Sequence, residues 1–279
     1  MVGYLHSRQY LLYQRMKELL KDCFGVSLSE GSIDNIIRRF AQKALPVYGM
    51  IKDAVSNSAV IGGDKTGARE DGSKHWVWTY QTDSFTVLAM SASRGLKAIN
   101  SHFPKGLGNA VLCHDAWRTY FSYRDNLHQL CCAHLLRELK YIEEKHKSGW
   151  ATKIKLLLLK AMALKKTLDK DLTREQLEAI SVLEQRLDRM LEISLDKTHI
   201  EAVSIQKRLV KYRQSILTFL YHHKVPPDTN ASERAIRNVK VKQKISGQFK
   251  SEKGADDFCV IRGLSRTPLS NDHKTSWKT

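Results

Sequence analysis

The order of short β-like runs and long helical stretches constrains the fold of this chain more than any other feature. From about residue 59, helical periodicity gives way to short runs of β-forming residues. The five runs cover residues 59–64, 75–81, 85–90, 109–115 and 127–131. The second and third alternate and are joined as a hairpin, and a helical pattern follows the fifth from near Ala133. We therefore predict an α/β fold with a mixed sheet flanked by helices.

Three antiparallel strands followed by strands that a helical stretch separates are the order expected of an RNase-H-like core. The helical sequence after Ala133 is too long for such a core, so it predicts a large all-α insertion. The predicted regions are an N-terminal helical region at 1–57, the first part of the core at 58–144, the insertion at 145–222, the C-terminal part of the core at 223–264 and a disordered tail at 265–279.

The N-terminal region reads as a pair of helices. Residues 8–22 place leucines and Met16 at helical spacing, and the segment 25–29 interrupts that pattern. Ser32 is the predicted N-cap of the second helix, which carries its isoleucines on one face. The pair is compatible with a helix-turn-helix and equally with a two-helix packing element.

The charge balance favours a polyanionic partner. The chain of 279 residues has 46 Lys and Arg against 29 Asp and Glu, a net charge of +17. Such an excess attracts phosphates and releases their counterions, so nucleic acid is the favoured partner. The hydrophobic content of 42% allows a core of ordinary size.

Cysteine usage and hydropathy bear on the compartment. The five cysteines are an odd number without framework spacing, which favours a reducing cytoplasm. Neither a signal peptide nor a membrane-spanning run is evident, because the longest apolar run, 156–159, ends at Lys160. The sequence predicts a soluble cytoplasmic protein.

Three acidic residues are the candidate catalytic and metal-binding residues. Asp64 and Asp115 each close a β-like run, and Glu233 lies at the start of a later helix. Taken singly, each has an ordinary explanation: the aspartates can solvate turns, and Asn230 with Glu233 can form a capping-box-like pair. Together, two strand acids and one helix acid can hold two Mg²⁺ ions that act on a phosphodiester, with Mn²⁺ as an alternative ion.

A basic segment follows Glu233 directly. Its cations are Arg234, Arg237, Lys240, Lys242, Lys244 and Lys250, with no acid between the first and the last. A solvated helix face normally mixes charges, so this segment predicts contacts with the DNA backbone. Six phosphate contacts would give a salt slope of roughly −5.

Two other groups have ordinary explanations. Cys131 and His134 have a Cys-x-x-His spacing, but a structural zinc site usually needs four ligands. His114 or Cys113 could in principle complete the set, yet a buried cysteine and a packed or hydrogen-bonded histidine are the favoured interpretation, so zinc is disfavoured. The alternating aromatic residues Trp76, Trp78 and Tyr80 share one strand face. We expect that face to cover the core, the alternative being base stacking.

At these residues the sequence resembles the insertion sequence 66 family of bacterial DDE transposases, over residues 4 to about 264. The motifs that carry the resemblance are Tyr4–His6, Phe24–Ile36, Ala44–Tyr48, Asp64–Gly67, His75–Trp78, Ser93–Gly95, Asp115–Tyr120, Leu130–Leu139, Val225–Arg237 and Lys244–Gly247. The resemblance implies an RNase-H-like fold with a helical insertion, and a catalytic triad on Asp64, Asp115 and Glu233. It also implies Mg²⁺-dependent cleavage and strand transfer on the double-stranded DNA of element ends and targets. Accessory proteins of the same element, and further copies of the chain on DNA, are the implied partners.

Three departures from the family pattern qualify these expectations. Lys65 stands where the family usually has Glu, which would add a cation beside the metal site. The upstream coiled-coil and cysteine-cluster region is missing, and the sequence diverges after Leu264. These departures suggest a truncated, defective copy. The alternative functions are a non-catalytic DNA-binding remnant and a host nuclease of RNase H type.

Overall fold

The structure is a computed structural model that describes residues 1–264. Contacts divide the chain into two compact units. The first unit comprises Met1–Gly108 together with the chain from Ala231 onward, and the second comprises Asn109–Asn230. The first unit is thus assembled from both ends of the described chain, and the second from its middle.

Helices precede, separate and follow the strands along the chain. The helices are α1 Val2–Ser7, α2 Tyr13–Phe24, α3 Glu30–Ser56, α4 Leu96–His102, α5 Cys132–His146, α6 Gly149–Lys165, α7 Arg174–Leu191, α8 Ile200–Lys211, α9 Thr218–Tyr221, α10 Asn230–Ser246 and α11 Glu252–Leu264. The strands are β1 Val60–Glu70, β2 Ser73–Gln81, β3 Thr86–Ser91, β4 Val111–His114 and β5 His128–Leu130.

Strands β1 to β3 of the first unit form an antiparallel meander. Gly62 is paired with Gln81, and the register continues without a bulge to Glu70 and Ser73. Because side chains alternate along a strand, Trp78 and Tyr80 project from one face of this meander. Both are fully buried, and the Tyr80 hydroxyl lies 2.9 Å from Nδ1 of His102 on α4. The expectation that the alternating aromatic residues belong to the core is confirmed for Trp78 and Tyr80, whereas Trp76 is only half-buried.

The opposite face of the meander is covered by α10 and α11. One buried cluster joins the strands to these helices, and its members are Tyr10, Ala68, Val77, Leu88, Ala235, Val239, Phe249, Ala255, Phe258 and Cys259. The Tyr48 hydroxyl of α3 donates a hydrogen bond to the Leu88 carbonyl at 2.5 Å. Gly263 fits against β3 because a Cβ atom there would lie 3.1 Å from the Thr86 carbonyl oxygen.

The N-terminal helices differ in their boundaries from the prediction. The helix predicted over 8–22 is α2, which begins later, at Tyr13, and ends where Gly25 adopts a left-handed φ of 65°. The short helix α1 before it was not predicted. Ser29, not Ser32, caps α3, because the Ser29 side chain accepts a hydrogen bond from the Ser32 amide at 3.0 Å. Helix α3 continues through Pro46 to Ser56.

The second unit contains one parallel strand pair and most of the helices. Leu112 is paired with His128 and His114 with Leu130. Gln129 of β5 is fully buried and joins this strand to α9 and the residues before it. Its side chain donates to the Ile216 carbonyl at 3.0 Å and accepts from the Phe219 amide at 2.8 Å. Helices α6 to α8 lie in the region predicted as an all-α insertion.

The predicted fold class is confirmed. The described residues form an α/β structure with five strands in a mixed sheet flanked by helices, which is consistent with an RNase-H-like core. The predicted disordered tail, 265–279, lies outside the described residues. Within 1–264, no helix has the length and apolarity needed to cross a membrane.

Candidate active site

Asp64 lies inside β1 and not at its end. The prediction that this acid closes its strand is wrong, because the ladder with β2 continues to Glu70. The Asp64 side chain is 8% exposed, and its Oδ1 accepts a hydrogen bond from the Lys65 amide at 2.7 Å. Strand alternation places Asp64 on the same face as Gly62 and Ala68, which is the face that α10 covers.

Helix α10 begins directly over this part of β1. A Cβ atom added to Gly62 would lie 2.9 Å from Oγ of Ser232, so the glycine allows the first turn of the helix to approach the strand. Further along, Ala235 and Val239 pack in the cluster that contains Ala68. The helix therefore follows the strand face that carries Asp64.

Glu233 is the residue after Ser232, in the first turn of α10. Its side chain is half-buried. The predicted capping role of Asn230 is not the arrangement found, because the helix already includes Asn230, whose amide donates to Oδ1 of Asp228 at 3.0 Å. An acidic residue in the first turn of a helix is favoured by the helix dipole, and Glu233 has that position.

Two buried hydroxyl oxygens on the side of the sheet that carries Asp64 have no hydrogen-bond partner among the described residues. Thr79 is paired directly with Asp64 across the strands, and its Oγ1 is one of them. The other is Oγ of Ser232. Buried polar atoms normally find partners, so this spot suits a group that brings its own water. Mg²⁺ fits these residues, because it takes carboxylate oxygens and usually keeps several of its waters.

Asp115 belongs to the second unit. It follows β4 directly, as predicted, and its Oδ1 accepts a hydrogen bond from the Trp117 amide at 3.1 Å. Ala116 has a left-handed φ of 64°, so the chain turns sharply after the acid. Asp64 and Glu233 thus lie in one unit and Asp115 in the other. That all three meet at one metal site stays a prediction.

Lys65 does not have the position that its neighbour in sequence suggested. It is paired with Trp78, and its Nζ lies 5.9 Å from the centroid of the Trp78 ring. Since successive side chains of a strand point to opposite faces, Lys65 and Asp64 project from opposite sides of the sheet. The expectation that Lys65 adds a cation beside the acid is therefore wrong.

The exposed face of α10 is cationic. Four of the predicted DNA-binding residues, Arg234, Arg237, Lys240 and Lys244, are exposed. Lys242 is 8% exposed, because its position along the helix shares the buried face with Ala235 and Val239. Lys242 is therefore removed from the predicted DNA-binding set, and we name the other four the α10 basic face.

Cys131 and His134 interact within the second unit. Burial alone would raise the pKa of the Cys131 thiol, but hydrogen bonds with His134 and with the Thr229 amide lower it overall. His114 instead lies 3.0 Å from His128, nitrogen to nitrogen, and stacks on Tyr120. Burial raises the pKa of Cys113.

The sequence did not identify Gly62, Thr79 and Ser232, which lie on the strand face of Asp64 or pack against it. Gly62 and Ser232 could have been found from the small residues that precede each acid. These are Gly62-Gly63 before Asp64 and Ala231-Ser232 before Glu233. Small residues mark a close approach of two elements. Thr79 carries no such signal, because its position depends on the register of β1 and β2.

Comparison with known proteins gives a family for this arrangement. None of the curated proteins compared with the chain matches it. The family described as "Transposase IS66 family" matches residues 1–257 of the 279, a range that includes Asp64, Asp115 and Glu233. With that match over nearly the whole chain, and an α/β core that holds two of the three acids on adjoining elements, the chain belongs to the IS66 family of transposases.

Proposed function

We propose that this protein is a DDE-type transposase that cuts phosphodiester bonds at the ends of its element and transfers the strands. Asp64, Asp115 and Glu233 would be its catalytic residues. The observation that carries the proposal is the covering of the Asp64 face of β1 by α10, whose first turn bears Glu233, in a chain of the IS66 family.

The proposed chemistry rests on oxygen donors. The three carboxylates would hold Mg²⁺, or Mn²⁺ in its place. Bound ions would activate a water or a 3′-hydroxyl for attack and stabilise the leaving oxygen. The Lys65 amide orients Asp64, and the Trp117 amide orients Asp115. The hydroxyls of Thr79 and Ser232 would accept hydrogen bonds from water at the site.

The proposed substrate is double-stranded DNA, bound in part by the α10 basic face. Its cations follow Glu233 on the same helix, so contacts with the backbone would lie next to the reacting phosphodiester. The net charge of +17 supports this choice of partner. Accessory proteins of the element and further copies of the chain would complete the assembly.

The test is a nicking assay on DNA that carries the element ends, with Mg²⁺ present. We expect Asp64→Asn, Asp115→Asn and Glu233→Gln each to lower the nicking rate by about 100-fold or more, because loss of a metal ligand removes several kcal/mol of transition-state stabilisation. Each variant keeps the shape of the side chain and removes its charge.

Asp83→Asn and Asp125→Asn are matched controls, since these exposed aspartates lie in the first and second unit respectively. They should nick at the wild-type rate. Nicking that survives in the Asp115 variant would remove that residue from the triad and defeat the proposal.

Two other functions were considered from the sequence. A non-catalytic remnant was suggested partly by Lys65, but that side chain projects from the opposite face of the sheet to Asp64. A nuclease of RNase H type shares the chemistry. Adding target DNA to the assay and measuring joined products distinguishes it, because a transposase also joins the cut strand to target DNA and a nuclease does not.

A further inference from the structure

A second group of cations and aromatic rings lines a pocket within the second unit. The pocket has a volume of about 720 Å³, which lies within the range of small-molecule sites. Its walls come from the segment between β4 and β5 and from the end of α8. The candidate triad residues are not among its lining residues, so it is a separate feature.

Three exposed cations lie at this pocket. They are Arg118, Arg124 and Lys211, and among the described residues no acidic side chain lines the pocket with them. None of the three forms an ion pair with an acid of the described chain. Uncompensated cations around one concavity favour an anionic ligand, and guanidinium groups suit phosphate oxygens in particular.

The same pocket has an aromatic wall. The rings of Phe121 and Tyr212 are stacked, with centroids 3.8 Å apart and planes 4° from parallel. His128 packs against Phe121 at 4.7 Å, and Nζ of Lys211 lies 5.2 Å from the Tyr212 centroid. The stack holds the half-buried Tyr212 ring in one orientation at the pocket wall. A fixed aromatic ring is a surface on which a planar base can stack.

We propose that this pocket binds one unpaired nucleotide of a DNA strand. The cations would contact its phosphate, and its base would stack against the aromatic wall. A simple anion would make no use of the rings, and an apolar ligand would leave three cations without a partner. Both chemistries in one concavity match a base with its phosphate, which paired DNA does not offer because its bases are stacked inside the duplex.

The inference rests on the proposed function only in taking DNA as the source of the nucleotide. The first arm of the test measures binding of a short fluorescent oligothymidylate, and of a duplex, by anisotropy in EDTA, where no cleavage occurs. We expect Tyr212→Leu, and the double variant Arg118→Gln with Arg124→Gln, to weaken single-strand binding by about tenfold. Duplex binding should change less than about twofold.

Lys207→Gln is the matched control, because Lys207 is an exposed cation on α8 that does not line the pocket. It should bind both DNAs like the wild type. Tyr212→Leu removes a stacked ring and can disturb the structure. The variant at Arg118 and Arg124 changes only exposed side chains, so it is expected to fold and keeps the test decisive. Single-strand binding unchanged in both pocket variants, or weakened as much by Lys207→Gln, would overturn the inference.

The second arm distinguishes the source of the nucleotide. Free thymidine monophosphate and inorganic phosphate are added as competitors of the oligothymidylate. Displacement only at far higher competitor concentrations supports an unpaired nucleotide within a strand. If free thymidine monophosphate displaced the oligothymidylate at an equal concentration, a DNA strand would be excluded as the source of the nucleotide. If the pocket variants bind like the wild type while Asp64→Asn abolishes nicking, the inference fails and the proposed function does not.

Discussion

At the scale of single residues, the closest packing in the candidate active site is between Gly62 and Ser232. The missing Cβ of the glycine lets the first turn of α10, the turn that bears Glu233, lie on the face of β1 that carries Asp64. The Ser232 hydroxyl has no hydrogen-bond partner among the described residues, so it contributes little to holding the helix there. The approach depends on the small size of both residues.

This gives a prediction for Gly62→Ala. The new Cβ would lie 2.9 Å from Ser232 Oγ, so the first turn of α10 or the serine must move. We expect a loss of about 1–3 kcal/mol in the free energy of unfolding, with a lower nicking rate. Urea unfolding and the nicking assay measure the two effects.

Ser232→Ala provides the control for this change, because it removes the atom that the new Cβ would meet. Alone it should be nearly neutral, and in combination with Gly62→Ala it should restore most of the lost stability. A double variant no more stable than Gly62→Ala would show that this contact does not limit the approach of the helix.

At the scale of elements, α10 divides its cations between two faces. Four of them are exposed, namely Arg234, Arg237, Lys240 and Lys244, whereas Lys242 is buried. Burial is the main cause of the low pKa of His6, and the charge of Lys242 lowers that pKa further. A helix that carries its cations on its solvent face can bind a phosphate backbone without unfolding. The buried lysine belongs to the packing of the first unit.

We predict that Arg237→Gln with Lys244→Gln weakens duplex DNA binding to a similar degree for all sequences. If each cation contacts one phosphate, the salt slope should become less steep by about 2, at roughly 0.9 per phosphate. Anisotropy titrations at several salt concentrations measure the slope.

Lys242→Met is the matched control on the same helix. It removes an equal charge from the buried face, so the salt slope should not change. An equal change of slope in this control would mean that net charge, and not the exposed face, determines binding.

Most of the helices and strands were predictable from the sequence, and the errors have identifiable causes. Local alternation located β2 and β3 to within two residues, and the apolar run before Asp115 located β4. The second half of β1 contains few apolar residues and is held by its ladder to β2, which local sequence does not report. Lys242 was predicted to be exposed because it is charged, although its spacing from Ala235 and Val239 matches the buried face of α10.

At the scale of the whole molecule, the stability of the first unit is coupled to pH through two buried histidines. Burial lowers the pKa of His6 to about 3 and that of His102 to about 4. His102 lies between the Tyr80 hydroxyl and the Met90 carbonyl, at 2.9 and 3.3 Å. The division of the three candidate acids between two units follows from contacts between residues distant in sequence, which a local sequence pattern does not report.

We predict that stability falls as the pH is lowered. Each ring has a lower pKa in the folded protein than in the unfolded chain, so the unfolded chain binds the proton first. The contribution of His102 is complete above about pH 6.5 and is lost progressively as the pH falls towards 4. Between about pH 7 and pH 5 this amounts to roughly 2 kcal/mol for such a shift.

Urea unfolding of the wild type and of His102→Gln at the two pH values measures this loss in the free energy of unfolding. The variant should be less stable near neutral pH and should lose less stability on acidification. His223→Gln, at an exposed histidine, should retain the wild-type pH dependence. An identical pH dependence in the His102 variant would exclude that residue as a source of acid sensitivity.

The assembly of the first unit from both chain ends has a consequence for synthesis on the ribosome. The β1–β3 meander is complete by Ser91, yet α11, which buries Val77 and Leu88 together with α10, begins only at Glu252. At about 5–20 residues per second, the nascent chain keeps this apolar sheet face uncovered for roughly 8 to 32 s. We expect the uncovered face to make folding sensitive to chaperones, so the yield of folded protein should rise with chaperone supply.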